Sequence, residues 1–336
     1  LGVGTFGEVS RARHIETGAD VALKKIKFQA NDASNGMPIT AIREIKLLKR
    51  LAHPNVCPVI DMVYEPASSP TGAGTVYMVL PYMQHDLNGL LERLDSEDKP
   101  FTPAQIKLYM KQLLEGTLYL HQNKILHRDI KAANILISND GSLRIADFGL
   151  ARAYHDPGDD TQGGIPAWKM DARTGQSGWK GGDVNYTGMV VTRWYRPPEL
   201  LAGERKYGPA VDMWGMGCLL AEMILRRPLF KGSCEVNQLE LIADLCGSPD
   251  DATYPGWTSL PGVKNFDHNG KSTDERGRVD FGRKRRMVRE RFQGMVRTEL
   301  ADLIDKLLIL DPRQRLTAEG ALRHPWFDVE PLPADP

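Results

Sequence analysis

Residues 125–134 read Ile-Leu-His-Arg-Asp-Ile-Lys-Ala-Ala-Asn, a run in which an apolar start is followed by three functional side chains. These are the carboxyl of Asp129, the amine of Lys131 and the amide of Asn134. A carboxylate can accept a proton from a hydroxyl, an amine can neutralise charge on a moving phosphoryl group, and an amide oxygen can bind Mg²⁺. The spacing therefore predicts a site for phosphoryl transfer.

A second carboxylate follows in the run Leu-Arg-Ile-Ala-Asp-Phe-Gly at residues 143–149, at the end of a predicted strand. We expect Asp147, beside Gly149, to reach a metal ion that bridges nucleotide phosphates, while Phe148 packs inward. Asn134 and Asp147 are therefore the candidate ligands of Mg²⁺.

Three glycines open the chain in the pattern Gly2-x-Gly4-x-x-Gly7. The same pattern occurs in dinucleotide-binding folds and in ordinary turns, so by itself it is a weak indicator. Here the run that begins at Glu8 leads to a turn at Gly18 instead of opening a helix. The context predicts a glycine-rich hairpin, whose backbone can approach phosphates closely.

Lys24 lies in an alternating run that places it on one strand face with Ala22 and Ile26. A half-buried lysine there needs an anionic partner. The helix predicted to begin at Pro38 supplies Glu44, which projects between leucines on the apolar stripe of that helix. We expect the two charges to pair; the alternative is that each reaches water independently.

With these motifs the chain resembles the eukaryotic protein kinases, and the resemblance covers essentially the whole sequence. Residues 38–44, Pro-Ile-Thr-Ala-Ile-Arg-Glu, resemble the cyclin-contacting helix of the cyclin-dependent kinases. Residues 194–199, Trp-Tyr-Arg-Pro-Pro-Glu, resemble the end of the activation segment in the same group. Within that group, residues 186–192, 201–208 and 303–311 resemble the members that promote transcription elongation.

The resemblance implies an α+β fold with two lobes, a small antiparallel β-sheet lobe with one main helix and a larger, mainly helical lobe. We expect the N-terminal lobe at residues 1–80, a hinge at 81–84, the C-terminal lobe at 85–327 and a tail at 328–336. The activation segment would span residues 147–199. Because Leu1 stands directly before the first glycine, we expect the start of the first strand to be missing. Helical periodicity predicts helices at residues 86–94, 103–122, 211–225, 235–246 and 299–310.

ATP and Mg²⁺ are the cofactors that the resemblance implies. Apolar walls and backbone polar groups suit the flat adenine ring. The catalytic set would be Asp129, Lys131, Lys24 and Glu44. The expected nucleotide-binding residues are Leu1, Gly2, Gly4, Gly7, Val9, Ala22, Lys24, Leu80, Met83, Asp86 and Leu136.

Thr187 resembles the activating phosphorylation site of this group. Its phosphate would be bound by three arginines from separate segments, which would order the loop only once the phosphate is present. These arginines are Arg43, Arg128 and Arg152.

A substrate pocket for proline is implied further along the activation segment. The residues that resemble it are Val190, Val191 and Arg196, so the expected substrate is serine or threonine followed by proline. We also expect Glu199 to pair with Arg315 and hold the segment on the helical lobe.

Composition excludes several other classes of protein. The 336 residues carry 43 basic and 43 acidic side chains, so no net field favours a nucleic acid or a membrane surface. Four cysteines without a C-x-x-C spacing argue against a zinc ribbon or a disulfide framework and predict reduced, mostly packed thiols. The basic stretch 283–286 fits a solvated helix face better than a nuclear import or anion-binding patch.

The function implied is that of a cyclin-dependent, proline-directed serine/threonine kinase, a heterodimer with a cyclin bound at the Pro38–Glu44 helix. The implied substrates are the heptad repeats of RNA polymerase II and elongation factors, and the implied location is the nucleus. No direct binding to nucleic acid or membrane is expected. Two alternatives remain. One is another cyclin-dependent kinase with different substrates, and the other is a catalytically silent scaffold, which is disfavoured by the presence of Lys24, Glu44, Asp129, Asn134 and Asp147.

Overall fold

The computed structural model describes residues 2–4, 7–26, 51–66, 75–154, 191–263 and 282–335. The expected main helix of the small lobe, with Pro38 and Glu44, therefore lies outside the described residues, as do residues 155–190, which include Thr187.

An antiparallel five-stranded sheet forms the N-terminal part. Its strands are β1 (Gly2–Gly4), β2 (Gly7–Arg13), β3 (Asp20–Lys25), β4 (Asp61–Glu65) and β5 (Thr75–Pro81). Their order in the sheet is β1-β2-β3-β5-β4. The predicted glycine hairpin is present as β1 paired with β2, with Gly4 opposite Gly7. Gly18 turns the chain between β2 and β3 with a φ of 69°, a left-handed conformation that glycine adopts without strain.

The rest of the described chain is mainly helical, with short strands beside the first helices. These strands are β6 (His85–Asp86), β7 (Ile125–Leu126), β8 (Ile135–Ile137), β9 (Leu143–Ile145) and β10 (Arg152–Ala153). The helices are α1 (Leu87–Ser96), α2 (Pro103–Gln122), α3 (Pro198–Leu201), α4 (Ala210–Leu225), α5 (Glu235–Cys246), α6 (Val288–Phe292), α7 (Thr298–Leu307) and α8 (Ala318–Leu322). This arrangement confirms the predicted α+β class with a sheet part and a helical part.

Helix α4 is the central element of the helical part, because its residues are buried from Ala210 through Met223. Apart from the buried carboxyl groups of Asp212 and Glu222 the helix is apolar, and it packs on every side. A Cβ on Gly215 would lie 3.0 Å from the Cβ of Ile130 and 3.2 Å from its carbonyl oxygen. The absence of a side chain thus lets α4 approach the loop that carries Asp129.

Helices α2 and α5 have the bounds predicted from the sequence, whereas α7 ends at Leu307, three residues before the predicted end at Leu310. The carbonyls of Ile309 and Leu310 accept hydrogen bonds from the Arg315 guanidinium at 3.0 and 3.1 Å. A helix that continued to Leu310 would need the Lys306 carbonyl to accept from the N–H of Leu310, but this carbonyl accepts from the N–H of Leu316 at 3.4 Å. Sequence periodicity does not reveal this competition.

A fully buried ion pair joins α3 to the segment after α7. Arg315 donates to both oxygens of Glu199 at 2.8 and 3.0 Å, and to the carbonyl of Ala210 at the start of α4 at 2.7 Å. The guanidinium also stacks 5.0 Å from the centre of the Trp214 ring. The end of the activation segment is thereby fastened to α4, as the sequence predicted for this pair.

The basic stretch 283–286 precedes α6 without helical structure, so the predicted helix face is wrong. Lys284 pairs with Asp244 at 2.5 Å, and Arg286 pairs with Asp305 at 2.6 Å. Arg286 also donates to the carbonyl of Leu308 at 3.0 Å. These basic side chains connect α5 to α7 and are largely neutralised within the fold.

The cysteines are all free, and Cys57, Cys218 and Cys246 are buried while Cys234 is exposed.

None of the helices that the structure describes combines the length and apolar character needed to cross a membrane.

Removing one charge of the Glu199–Arg315 pair should strongly destabilise the protein. In Glu199→Gln the guanidinium keeps its burial but loses its counter-charge, which costs about 3–5 kcal/mol in buried pairs. Urea unfolding at pH 7 should report this loss. The control Glu319→Gln, which breaks the surface pair with Arg323, should change stability by less than about 0.5 kcal/mol. Equal unfolding free energies for the two variants would contradict the assignment.

Candidate active site

The carboxylate of Asp212, in the first turn of α4, holds the loop that carries the predicted catalytic groups. It is 1% exposed and accepts hydrogen bonds from the backbone N–H groups of His127 and Arg128 at 3.0 and 2.8 Å. The ring nitrogen Nε2 of His121 lies 2.9 Å from the same carboxylate. Burial acts to raise the pKa of Asp212, but His121, His127 and the N–H of Arg128 together outweigh it, and the pKa lies below its ordinary value.

The loop geometry brings together the three side chains that the sequence singled out. Asp129 Oδ2 accepts from Lys131 Nζ at 2.7 Å and from Asn134 Nδ2 at 3.0 Å. Burial acts to raise the pKa of Asp129, but the hydrogen bond and charge of Lys131 hold it below its ordinary value. Asp129 is thus an ionised, oriented carboxylate at neutral pH.

Thr192 belongs to the same cluster, although sequence reasoning gave it no role. Its backbone N–H and its hydroxyl donate to Asp129 Oδ1 at 3.0 and 2.9 Å, and Lys131 Nζ donates to the hydroxyl at 3.1 Å. The signal available was its place directly before the run 193–199, which ends the activation segment. The contact makes the geometry of Asp129 dependent on that segment.

Asp147 follows β9 in a left-handed conformation with a φ of 62°. Phe148 is buried, as predicted, and packs edge-on against the His127 ring with centroids 4.9 Å apart. His127 Nε2 in turn lies 2.9 Å from the carbonyl oxygen of Ala146. This buried packing fixes the direction in which the Asp147 carboxylate leaves the chain.

Lys24 on β3 reaches across to Asp147, with Nζ 2.9 Å from Oδ1. Lys24 is 8% exposed, which bears out its expected burial. The expected partner Glu44 lies outside the described residues, so the structure gives the contact with Asp147 in addition to that prediction. The ion pair joins the N-terminal sheet to the helical part at the site.

The predicted ligands of a metal ion are the oxygens of Asn134 and Asp147. The Asn134 amide nitrogen also donates to the Asp129 carbonyl at 2.8 Å, which leaves the amide oxygen for another partner. Amide and carboxylate oxygens suit Mg²⁺, which is commonly bound by one or two protein oxygens together with substrate phosphates. Among the described residues, no group of three or more His, Cys, Asp or Glu side chains could hold a metal ion by itself.

The predicted adenine-binding residues come from the sheet and the strands that follow it. Ala22 lies opposite Leu80 in the β3–β5 register, and Asp86 lies opposite Leu136 in the β6–β8 register. Asp86 Oδ1 also caps α1 by accepting from the N–H of Gly89 at 2.9 Å. Val9 lies opposite Lys24, Met83 is half-buried, and Leu1 lies outside the described residues.

Two of the three predicted phosphate-binding arginines are described. Arg128 has a φ of 65°, and its guanidinium donates to the carbonyl of Leu150 at 2.7 Å and to the hydroxyl of Tyr207 at 2.9 Å. Arg152 is exposed on β10, opposite Leu126 of β7. The other arginine, Arg43, and the threonine at 187 lie outside the described residues.

Val191 and Arg196 form a strained unit at the end of the activation segment, while Val190 lies outside the described residues. Val191 has a φ of 70°, which is costly for a β-branched residue. Its carbonyl oxygen accepts from Arg196 Nη2 at 3.0 Å and from Nε at 3.3 Å. The guanidinium therefore binds the carbonyl that the unusual backbone presents.

Tyr195, in the turn at residues 193–195, donates its hydroxyl to Glu222 Oε2 of α4 at 2.6 Å. Burial raises the pKa of Glu222 to about 7, although the Tyr195 hydroxyl acts to lower it. This buried carboxyl forms another attachment of the activation segment to α4.

Comparison with known proteins gave consistent results. The family model described as protein kinase domain matches residues 1–327. The chain is 47% identical to the serine/threonine-protein kinase bur1 of Neurospora crassa over 340 residues, covering 100% of this chain and 55% of the relative. It is 44% identical to the human cyclin-dependent kinase 9 over 337 residues, covering 100% of this chain and 80% of the relative.

A solved structure is also similar. A chain in the crystal structure of the yeast RNA Pol II CTD kinase CTDK-1 complex superposes with a TM-score of 0.77 at 36% identity, covering 98% of this chain and 92% of that chain. The chain spans about half the length of the fungal Bur kinases it matches, from 43% to 57% of them.

Stability should depend on pH through Glu222. The folded protein holds a proton on this carboxyl up to about pH 7, whereas the unfolded chain releases it near the ordinary pKa of 4.5. Because the native state binds more protons in that window, stability should fall as pH rises from 4.5 to about 7 and then level off. In Glu222→Gln this pH-dependent component should be absent. The unfolding free energy of the variant, relative to that of wild type, should therefore rise across this window, by about 3 kcal/mol in total at pH 8.

Urea unfolding of both proteins at several pH values measures this difference. The exposed Glu92 provides the control, since Glu92→Gln should keep the wild-type pH profile. Parallel profiles for wild type and Glu222→Gln would contradict the prediction.

Proposed function

Because the chain belongs to the protein kinase family, and within it to the cyclin-dependent kinases, we propose that it transfers the γ-phosphoryl group of ATP to serine or threonine hydroxyls that precede proline. The observation that carries the proposal is the cluster in which Asp129 is bound by Lys131, Asn134 and Thr192. This cluster offers a base and a cation beside each other in a buried setting.

Asp129 acts as the base that orients the substrate hydroxyl and accepts its proton. The hydroxyl oxygen forms a bond to the γ-phosphorus, and the bond from that phosphorus to the bridging oxygen breaks, which releases ADP. Lys131, 2.7 Å from Asp129, stabilises the negative charge of the transferred group. Because its pKa lies below the ordinary value, Asp129 is ionised at neutral pH, which is the form that can accept the proton of the substrate hydroxyl.

The nucleotide would be positioned by the residues that join the N-terminal sheet to the helical part. Lys24 would bind the phosphates, and its pairing with Asp147 keeps the cation close to the metal ligands. Mg²⁺ bound by Asn134 and Asp147 would neutralise charge on the phosphates. Ala22, Leu80 and the other apolar residues named above would enclose the adenine, and Glu44 would orient Lys24 from the helix.

Proline selectivity follows from the occupied carbonyl of Val191. A residue that follows the reacting hydroxyl would ordinarily donate its backbone N–H to a nearby acceptor, and leaving it buried and unbonded costs free energy. Here Arg196 already binds the Val191 carbonyl. Proline has no N–H, so a proline at this position does not incur the cost of an unbonded donor.

Regulation is proposed to involve a cyclin on the Pro38–Glu44 helix and phosphorylation of Thr187. The phosphate on Thr187 would be bound by Arg43, Arg128 and Arg152. Two of these arginines belong to segments next to the site, since Arg128 precedes Asp129 and Arg152 follows the run 147–149. A phosphate there would order the segment that positions Thr192.

The proposed substrates are the heptad repeats of RNA polymerase II and elongation factors, and the proposed location is the nucleus. Support comes from the Bur kinases, cyclin-dependent kinase 9 and the polymerase CTD kinase complex among the similar proteins. Another cyclin-dependent kinase with different targets is the alternative within the class.

Incubation of the protein with a peptide of polymerase heptad repeats, ATP and Mg²⁺, with and without a T-type cyclin, tests the proposal. We expect cyclin-dependent phosphorylation at Ser-Pro sites that falls by at least about 10³-fold in Asp129→Asn, because the base is lost. Transfer only to a general Ser-Pro substrate would support the alternative targets. ATP-dependent transfer that persists in Asp129→Asn would contradict the catalytic assignment, and no transfer by wild type would favour a scaffold.

Lys24→Met should leave folding largely intact but abolish phosphoryl transfer, because the phosphates lose their positioning cation. Thermal unfolding, nucleotide binding and turnover measured on the same preparation separate these effects. Lys25→Met, a neighbour on β3 whose side chain points to the other face, is the matched control and should retain activity. Full turnover in Lys24→Met would contradict the role proposed for Lys24.

A further inference from the structure

We propose that Glu235, in the first turn of α5, is a positioning residue that sets the selectivity for proline by holding the Arg196 guanidinium on the Val191 carbonyl. This inference deepens the proposed function and rests on it. The relay has three members, Glu235, Arg196 and Val191, and only the last would lie against the substrate.

The distances form a continuous chain. Arg196 Nη1 lies 2.6 Å from Glu235 Oε1, while Nη2 and Nε of the same guanidinium donate to the Val191 oxygen at 3.0 and 3.3 Å. Arg196 is 8% exposed, whereas the Glu235 side chain is 43% exposed. The carboxylate therefore stands between a buried cation and the solvent.

The position of Glu235 is fixed by the way α5 begins. Cys234 caps the helix, its sulfur accepting from the N–H of Asn237 at 3.4 Å. Gln238 is fully buried and donates to the Trp194 carbonyl at 3.2 Å, while its amide oxygen accepts from the N–H of Gly232 at 2.9 Å. The first turn of α5 is thus bonded to the turn that precedes Arg196.

Two more hydrogen bonds strengthen that attachment. Trp194 Nε1 donates to the Gly232 carbonyl at 3.2 Å, and Arg193 Nη1 donates to the Ser233 carbonyl at 2.7 Å. A Cβ on Gly232 would lie 2.5 Å from the Gln238 amide oxygen, so the loop packs directly on the helix. Glu235 meets Arg196 because these backbone contacts hold the two segments in register.

The electrostatic reason for the relay is the cost of burying a guanidinium. A buried cation is tolerated when a carboxylate neutralises it and hydrogen bonds satisfy its donors. With Glu235 removed, the Arg196 guanidinium lowers its free energy by turning toward water. The Val191 carbonyl then loses its donors, and the strained left-handed backbone at Val191 loses what holds it in place.

The chemical consequence concerns the residue after the reacting hydroxyl. A released Val191 carbonyl can accept the N–H of alanine or another ordinary residue, whereas proline has no N–H to offer. Loss of Glu235 should therefore favour substrates without proline and weaken those with it. The change is one of selectivity, and it differs from a general loss of activity.

The test uses the full protein in complex with its cyclin and three peptides that differ only after the serine: Ser-Pro, Ser-Ala and Ser-(N-methylalanine). N-Methylalanine lacks the N–H but also lacks the proline ring. Wild type should prefer Ser-Pro to Ser-Ala and should accept the N-methyl peptide better than Ser-Ala. In Glu235→Ala the ratio of kcat/KM for Ser-Pro over Ser-Ala should fall about five- to tenfold, a change of the size expected when one hydrogen bond is redistributed.

The matched control is Asp244→Ala, which removes an exposed carboxylate from the same helix and leaves the Arg196 contact in place. It should keep the wild-type ratio, and Glu235→Gln, which retains an acceptor oxygen, should lie between wild type and Glu235→Ala.

Three results would overturn the inference, and they are distinguishable. If wild type prefers proline and Glu235→Ala leaves both kcat/KM values unchanged, the relay is wrong while the proposed function stands. If both peptides lose kcat/KM by the same factor in Glu235→Ala, the residue has a structural role only. If wild type itself does not prefer proline, the proposed proline direction fails and the relay fails with it.

Discussion

The buried carboxylate of Asp212 is the constraint on which the active site depends. It satisfies the N–H groups of His127 and Arg128, which would otherwise be buried without partners next to the left-handed backbone of Arg128. That conformation turns the chain so that Asp129 faces the site. Because Asp212 belongs to the most buried helix in the described chain, its hydrogen bonds attach the loop that carries Asp129 to the rigid core.

The charged groups inside this protein contribute more to the orientation of side chains than to the stability of the fold. The pairs Lys24–Asp147 and Arg196–Glu235 join segments that are far apart in the chain, and the pair Lys131–Asp129 orients two side chains of one loop. Burying such charges costs desolvation free energy, and a hydrophobic replacement is often as stable. Their benefit is that each donor has one orientation, which a phosphoryl-transfer site needs.

The sequence predicted those parts of the site that lie within one short run, because spacing along a loop limits where side chains can go. The cluster of Asp129, Lys131 and Asn134 is of this kind, as is the glycine hairpin. Spacing does not predict contacts between distant segments, and the Glu199–Arg315 pair was expected only from the family resemblance. Thr192 meets Asp129 because the activation segment folds back, and α7 ends early because the Lys306 carbonyl accepts from the N–H of Leu316 instead of Leu310.

The four cysteine thiols differ in burial, so that a single one of them is open to selective labelling. Burial raises the pKa of Cys57 to about 11 and of Cys246 to about 12, and it also raises that of Cys218, so none of the three presents a reactive thiolate at neutral pH. Cys234 is exposed and immediately precedes Glu235. A thiol-directed fluorophore would therefore attach beside the proposed proline pocket of the unaltered chain and report, in real time, when a peptide or another protein docks there.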